Sequence, residues 1–145
     1  MSDITIRAAV PADTGVLIAM LVIAHGEIGG LPLSIDRLTK SVQRQVDAGC
    51  VLVAVQDGRV IGSIALENGG VPYSDEPILV TVWTVVARPF RSMAAIRALA
   101  RSAQSVARFN SAVLAIGVHG LNDLGRRARV FERLGFQPLG LMMAG

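Results

Sequence analysis

Apolar positions along this chain change period several times, and each change predicts an element. "ITIRAA" (Ile4–Ala9) alternates at period two and predicts a short strand. Pro11 and Asp13 then open a helix whose run "GVLIAMLVIA" (Gly15–Ala24) is apolar on nearly every side. Gly26, Gly29, Gly30 and Pro32 predict a loop. Ser34 predicts the cap of a second helix, in which Ile35, Leu38, Val42 and Val46 recur at helical spacing until Gly49 stops it. "CVLVAVQDGRVIGSIALE" (Cys50–Glu67) reads as two strands around an Asp57-Gly58 turn. A loop holding Gly69, Gly70, Pro72 and Pro77 precedes a strand rich in β-branched residues, "ILVTVWTVVA" (Ile78–Ala87), on which alternation puts Thr81 and Trp83 on one face. Next come a helix from Met93 to Arg108, an apolar strand Ala112–Val118, a short Arg-studded helix Leu124–Arg133 and a closing strand Gly135–Met143. The order β-α-α-β-β-β-α-β-α-β predicts one domain over residues 1–145. Its class is α/β (α+β), a mixed, mostly antiparallel sheet flanked by about four helices.

Composition supports a real core: 52% of residues are hydrophobic and mean hydropathy is +0.52. Aromatics are only 4%, so few rings exist for stacking bases or sugars. The single Cys50 forms no internal disulfide, and Asp3 and Arg7 break the charged-then-apolar order of a secretory leader, so a cytoplasmic location is expected. The Gly15–Ala24 run is roughly half the length of a bilayer span, so it reads as a buried helix or a subunit contact and no membrane partner is expected.

Charge is unevenly placed. Residues 1–87 carry five basic groups and nine acids, a net −4, whereas residues 88–145 carry nine arginines against Asp123 and Glu132, a net +7. Such a field suits an anionic partner: nucleic acid, a membrane surface or a phosphorylated cofactor. "GRRARVFER" (Gly125–Arg133) fits a solvated helix face better than a nucleic-acid helix, and His25 and His119 lack ligand-spaced companions, so neither nucleic acid nor a metal is expected. The acids of the first half (Glu27, Asp36, Asp47, Glu67, Asp75, Glu76) favour a cationic amine as a second partner.

The passage from strand to helix, "VVARPFRSMAAIRALARSAQ" (Val85–Gln104), is where chemistry concentrates. A helix that starts directly after a strand aims unpaired N–H groups and the positive end of its dipole at whatever precedes it, which makes an anion site. No glycine occurs between Gly70 and Gly117, which excludes a Walker loop and a dinucleotide fingerprint here.

"VVARPFRSMAAIRALA" followed by an apolar strand and then "FERLGF" (Phe131–Phe136) resembles the GCN5-related N-acetyltransferase (GNAT) family, whose signature reads Val-x-Pro-x-Tyr-Arg-Gly-x-Gly-x-Gly ahead of a helix. The likeness covers nearly the whole chain, since the first strand and helix, the "DGRVIG" hairpin and the closing "RLGF" fall in family order. It implies an acyl-CoA N-acyltransferase-like fold, with acetyl-CoA as co-substrate in a gap between the fourth and fifth strands. It also implies pyrophosphate on the backbone N–H groups of Arg91, Ser92, Met93, Ala94, Ala95 and Ile96, pantetheine along Val85, Val86 and Ala87, and a cofactor contact at Asn122.

The departures are as informative. Arg88 stands where the signature has proline, and Ser92, Ala94 and Ile96 replace its glycines. Ile96 either turns inward to the core or crowds the cofactor. Phe131 occupies the position of the family's usual tyrosine acid. The fourth strand offers no acid between Ile78 and Ala87, so Glu67, at the end of the third, is the best candidate base, with Asp75 and Glu76 behind it. Two readings follow. One is acetyl transfer to a primary amine, on a small molecule or a peptide, by a homodimer as is common in the resembling family. The alternative is a catalytically weak scaffold that binds CoA or, through its arginines, nucleic acid.

Overall fold

The structure, a computed structural model, describes residues 3–118 and 124–139. Among these residues five strands form one sheet in chain order: β1 (Thr5–Ala8), β2 (Val51–Gln56), β3 (Arg59–Val71), β4 (Ser74–Val86) and β5 (Val113–Ala115). The first four pair antiparallel and β5 joins β4 in parallel. Helices α1 (Thr14–Ile28) and α2 (Ile35–Asp47) connect β1 to β2; α3 (Met93–Phe109) connects β4 to β5; α4 (Leu124–Arg133) follows. The mixed, mostly antiparallel α+β sheet with four helices is the architecture that the hydrophobic pattern predicts.

Alternation along the strands divides the core into two layers. Ile61, Ile64, Leu66, Leu79 and Val86 face α3, where Ala95, Ala103 and Ala107 form a small-residue stripe and Leu99 packs fully buried among them. Val51, Val53, Ala65 and Val85 face the other way, against Leu17 and Met20 of α1 and Val42 and Val46 of α2. Gly62 sits where β3, β4 and α3 meet. A Cβ there would lie 2.9 Å from Val85 O and 3.2 Å from Val86 Cγ2. Gly62→Ala is therefore expected to destabilise the fold by about 2–3 kcal/mol, because the obstacle is backbone. Gly69→Ala meets Val80 Cγ2 at 2.6 Å, a side-chain methyl and not backbone, on an exposed stretch of β3, and is expected to cost less than Gly62→Ala. Urea unfolding of the two variants checks the order.

The N-terminal junction is tied by charge. Asp13, buried, accepts from Arg7 Nη1 at 2.7 Å and Nη2 at 3.0 Å, and from the Val10 N–H at 2.8 Å. These hydrogen bonds, Arg7's first, hold the Asp13 carboxyl below its ordinary value. A group whose folded pKa is depressed adds stability that is present above its unfolded pKa, near 4, and is lost as pH falls through the lower folded value. Asp13→Ala is expected to remove about 1–3 kcal/mol at neutral pH and to flatten the acid limb of stability against pH. Thermal melts from neutral pH down to pH 3 check this.

Four boundaries differ from expectation. The strand predicted over residues 112–118 is shortened to Val113–Ala115, because its pairing with β4 ends there. The loop predicted around Gly69–Pro77 is instead the tip of a long β3–β4 hairpin: pairing runs from Gly69–Ile78 to Val71–Ser74 with a register shift between them, and Pro77 falls in that shift, where no ladder N–H is needed. The apolar helical stretch Pro11–Ile28 is longer than the ten-residue run suggests, enough by length and composition to cross a bilayer. Leu17 and Met20 are nonetheless buried on the sheet, while Val16 and Ile23 are exposed. The closing strand predicted from Gly135 is absent over Phe136–Leu139, and its remainder, with Met142 and Met143, lies outside the described residues.

Candidate active site

The site begins where the sheet comes apart. β4 and β5 pair only at Ile78–Val113, Leu79–Leu114 and Val80–Ala115. Immediately beyond, Thr81 stands opposite Leu66 and Trp83 opposite Ala65, so Val82 is an extra residue on β4. Such a bulge bends its strand, and the ladder with β5 ends where it begins. Val82 and Trp83, consecutive in sequence, consequently pack into the same cluster on the α1/α2 side. The strict alternation that would put Thr81 and Trp83 on one face is broken between them. Trp83 Nε1 donates to Ser63 Oγ at 3.1 Å, which itself donates to Leu52 O at 3.0 Å, and this fixes the bent segment. Thr81 Oγ1 accepts the Gly117 N–H at 2.8 Å, a side chain bridging the strands just as their backbone ladder ends.

Past the split, one edge of β4 is open. The Ala87 N–H donates to Ile61 O at 2.8 Å. Because antiparallel pairs alternate, that bond turns the backbone groups of Thr84 and Val86 away from β3, toward the gap. The gap is a cavity of about 340 Å³. α1 lines it with Ala24, Glu27 and Ile28, β4 with Thr84 to Val86, and the corner with Arg91 and Ile96. Gly117 and Val118 follow β5, and Arg126, Arg127, Val130 and Phe131 come from α4. Among the described residues the lining holds three arginines and one carboxylate, a balance that favours an anionic occupant.

Arg91 crosses this space. Its Nε donates to Val86 O at 3.1 Å and its Nη2 to Glu27 Oε2 at 2.6 Å, with Arg88 Nη2 at 3.6 Å from Glu27 Oε1. At the corner, Ser92 caps α3: its Oγ accepts the Ala95 N–H at 3.2 Å and its carbonyl the Ile96 N–H at 3.3 Å. The Arg91 N–H donates to Arg88 O at 3.3 Å. Of the six amides assigned to an anion from sequence, those of Ser92, Met93 and Ala94 thus remain without a partner among the described residues. The serine that replaces the signature's first glycine uses up one donor while fixing the direction of the rest.

The residues singled out from sequence are only partly gathered here. Val85, Val86, Arg91, Ile96 and Phe131 line the cavity, and Ser92 and Met93 stand at the start of α3 beside it. Ala87 continues the β4 edge. Ala94 is exposed, whereas Ala95 packs into the core. Ile96 does both things posed as alternatives: it packs against the α3-side core and lines the cavity. Phe131 stacks edge-to-face on Phe136, with ring centroids 6.1 Å apart. Glu67 is exposed on β3 opposite Val80, away from the cavity lining. Asn122 lies outside the described residues, as does His119. His25 Nε2 contacts Leu31 O at 2.6 Å, a structural tie at the end of α1. Among the polar lining residues, Thr84, Arg126 and Arg127 have no site role in the pattern reading, and Glu27 is named there only as one of the acids of the first half.

No protein-family model and no curated protein matches the sequence. Solved structures do match the fold. A possible acetyltransferase from Clostridium difficile 630 superposes with TM-score 0.78 at 18% identity, over 98% of this chain and 95% of that one. The aminoglycoside N-acetyltransferase AAC(6')-Iy, in complex with CoA, gives TM-score 0.78 at 16% identity, over 100% and 95%. The ribosomal-protein-alanine N-acetyltransferase from Brucella melitensis biovar Abortus 2308 gives TM-score 0.73 at 14% identity, over 98% and 97%.

Proposed function

On the fold of the GCN5-related N-acetyltransferases, which this chain has, we propose that it moves the acetyl group of acetyl-CoA to a primary amine. The observation that carries this reading is the split between β4 and β5, which opens a cavity lined by Arg91, Arg126 and Arg127 directly beside the N-terminus of α3. The residues present fit the co-substrate. The free amides of Ser92, Met93 and Ala94 suit a pyrophosphate, the outward backbone of Thr84 and Val86 suits the amides of a pantetheine arm, and Thr84 Oγ1 is buried without a partner. Arg91 releases Val86 O when that carbonyl is required.

Bound there, acetyl-CoA supplies an activated acyl group: the amine nitrogen bonds to the carbonyl carbon, the carbon–sulfur bond breaks, and sulfur leaves with the bonding pair. An acceptor that arrives as an ammonium sheds one proton to solvent before attack and a second, after attack, to the departing thiolate. Phe131 carries no proton to give, and a thiol's ordinary pKa of about 8.5 lets the thiolate leave unaided, at reduced speed. The apolar exposure of Ile23, at 60%, and Leu31, at 82%, supports the expected homodimer.

A thiol-release assay tests the reading. Amine-dependent release of CoA above the uncatalysed rate is the expected result. Confirmed CoA binding with no release for any of a diamine, an aminoglycoside and a peptide N-terminus would favour the scaffold reading, for which Phe131 at the gap speaks.

A further inference from the structure

The β3–β4 hairpin outruns the sheet. Pairing with β2 ends at Val51–Ala65 and pairing with β5 begins only at Ile78, so among the described residues the segment from Glu67 to Pro77 is a two-stranded arm. Every residue of it except Val71 is exposed, and Tyr73 at the tip is 86% exposed. A two-stranded ribbon alone is marginally stable in water, so one that stands clear of its own core gains from a surface to lie on. The arm carries Glu67, Asp75 and Glu76 and no basic residue, and none of the three forms an ion pair among the described residues.

α2 offers the matching face. Arg37, Lys40 and Arg44 recur at helical spacing around a shallow depression, likewise without ion pairs among the described residues. Ahead of Arg37 the surface turns apolar, with Leu33 and Ile35 exposed. The spacings agree. Arg37 to Arg44 spans ~10 Å of helix, and Asp75 and Glu76, set between the Gly69–Ile78 and Val71–Ser74 pairs, lie ~10 Å beyond Glu67 along the ribbon.

Within one chain these charges do not meet. α2 ends where the arm begins, since the Cys50 N–H donates to Gln45 O at 3.1 Å and Cys50 O accepts the Leu66 N–H at 2.9 Å, and the arm continues away from the helix. A second copy brings them together. Leu66 faces α3 and Ala65 faces the α1/α2 layer, so alternation turns Glu67 toward the α1/α2 side. We propose that this chain forms a two-fold dimer, its α1/α2 layers face to face, in which each β3–β4 arm lies along the other copy's α2: Glu67 at Arg44, Asp75 and Glu76 at Lys40 and Arg37, and Tyr73 on Leu33 and Ile35. The same apposition covers Val16 and Ile23, exposed on the outer side of α1, and gives the contact an apolar centre with a charged rim. Neither surface lines the cavity, so the contact is independent of the acetyl-transfer reading.

Sedimentation equilibrium over a concentration series tests the contact. The wild-type protein is expected to dimerise, and Asp75→Lys with Glu76→Lys, or Arg37→Glu with Lys40→Glu, should each weaken the dimer roughly ten-fold or more. Mixing the two double variants should restore it, because each arm then meets a face of opposite charge; a misfolded variant would not be rescued in this way. A protein that stays monomeric to high micromolar concentration, a dimer that neither double variant weakens, or weakened variants that mixing does not restore would overturn the proposal. The first of these results would also remove the expected homodimer, the others would leave it to a different surface, and none of them bears on thiol release.

Discussion

Ser92→Asp is expected to weaken CoA binding about 10–100-fold while leaving the fold at least as stable. The two effects separate because they arise from the same position in opposite ways. Ser92 is the N-cap of α3 and its side-chain oxygen accepts the Ala95 N–H. Aspartate caps as well as serine does, and its charge interacts favourably with the helix dipole, so α3 is kept. The same charge sits beside the free amides of Met93 and Ala94, where the pyrophosphate is assigned. Two like charges about 5 Å apart at an effective dielectric near 20 repel by roughly 3 kcal/mol, and solvent and salt reduce this. Calorimetry and a thermal melt on the same sample read both quantities. A fall in affinity with an unchanged or higher Tm is the expected pattern; unchanged affinity would detach the α3 N-terminus from the cofactor.

Phe131→Tyr is expected to raise turnover, by up to the roughly 10²–10⁴-fold that a positioned general acid provides. Phe131 lines the gap, partly buried, and its ring is already held edge-to-face by Phe136. One added hydroxyl leaves that packing in place and brings a proton to the wall of the cavity from which the thiolate departs. The thiol-release rate at saturating acetyl-CoA reports the change, and the variant's melting temperature shows whether the core tolerates it. A rate that does not rise, in a variant that melts like the wild-type protein, would mean that departure of sulfur does not limit the reaction.

Hydrophobic periodicity makes most of the fold legible because the elements are local: β1, α2 and its Ser34 cap, the Asp57-Gly58 turn, α3 and α4 fall where apolar spacing and stop residues put them. What pattern does not reveal is set by pairing. The bulge at Val82 exists because Leu66 and Ala65 face Thr81 and Trp83, and nothing in "LVTVWTV" alone marks it, yet it splits the sheet. The β3–β4 tip reads as a loop because Gly and Pro dominate it, while its partner strand overrides that local preference. The site divides in the same way. The corner from Val85 to Ile96 is contiguous and carries its own chemistry, so it is readable. Glu27 lies 64 residues before Arg91 and meets it only in the folded chain, so sequence proximity to the fourth strand favours Glu67 instead. That the Ser92 hydroxyl caps the Ala95 amide, leaving only the Ser92 backbone N–H for an anion, is also a consequence of geometry, although a serine at the start of a helical run is a recognisable capping signal.

The most direct test of CoA binding in the β4–β5 gap is a crystal structure of the protein with saturating CoA. Pantetheine is expected in the gap between β4 and β5, the pyrophosphate at the amides of Ser92, Met93 and Ala94, and the Arg91 side chain displaced from Val86 O. CoA bound anywhere else, or a gap that stays closed by Arg91 on Val86 O at saturating CoA, would contradict it.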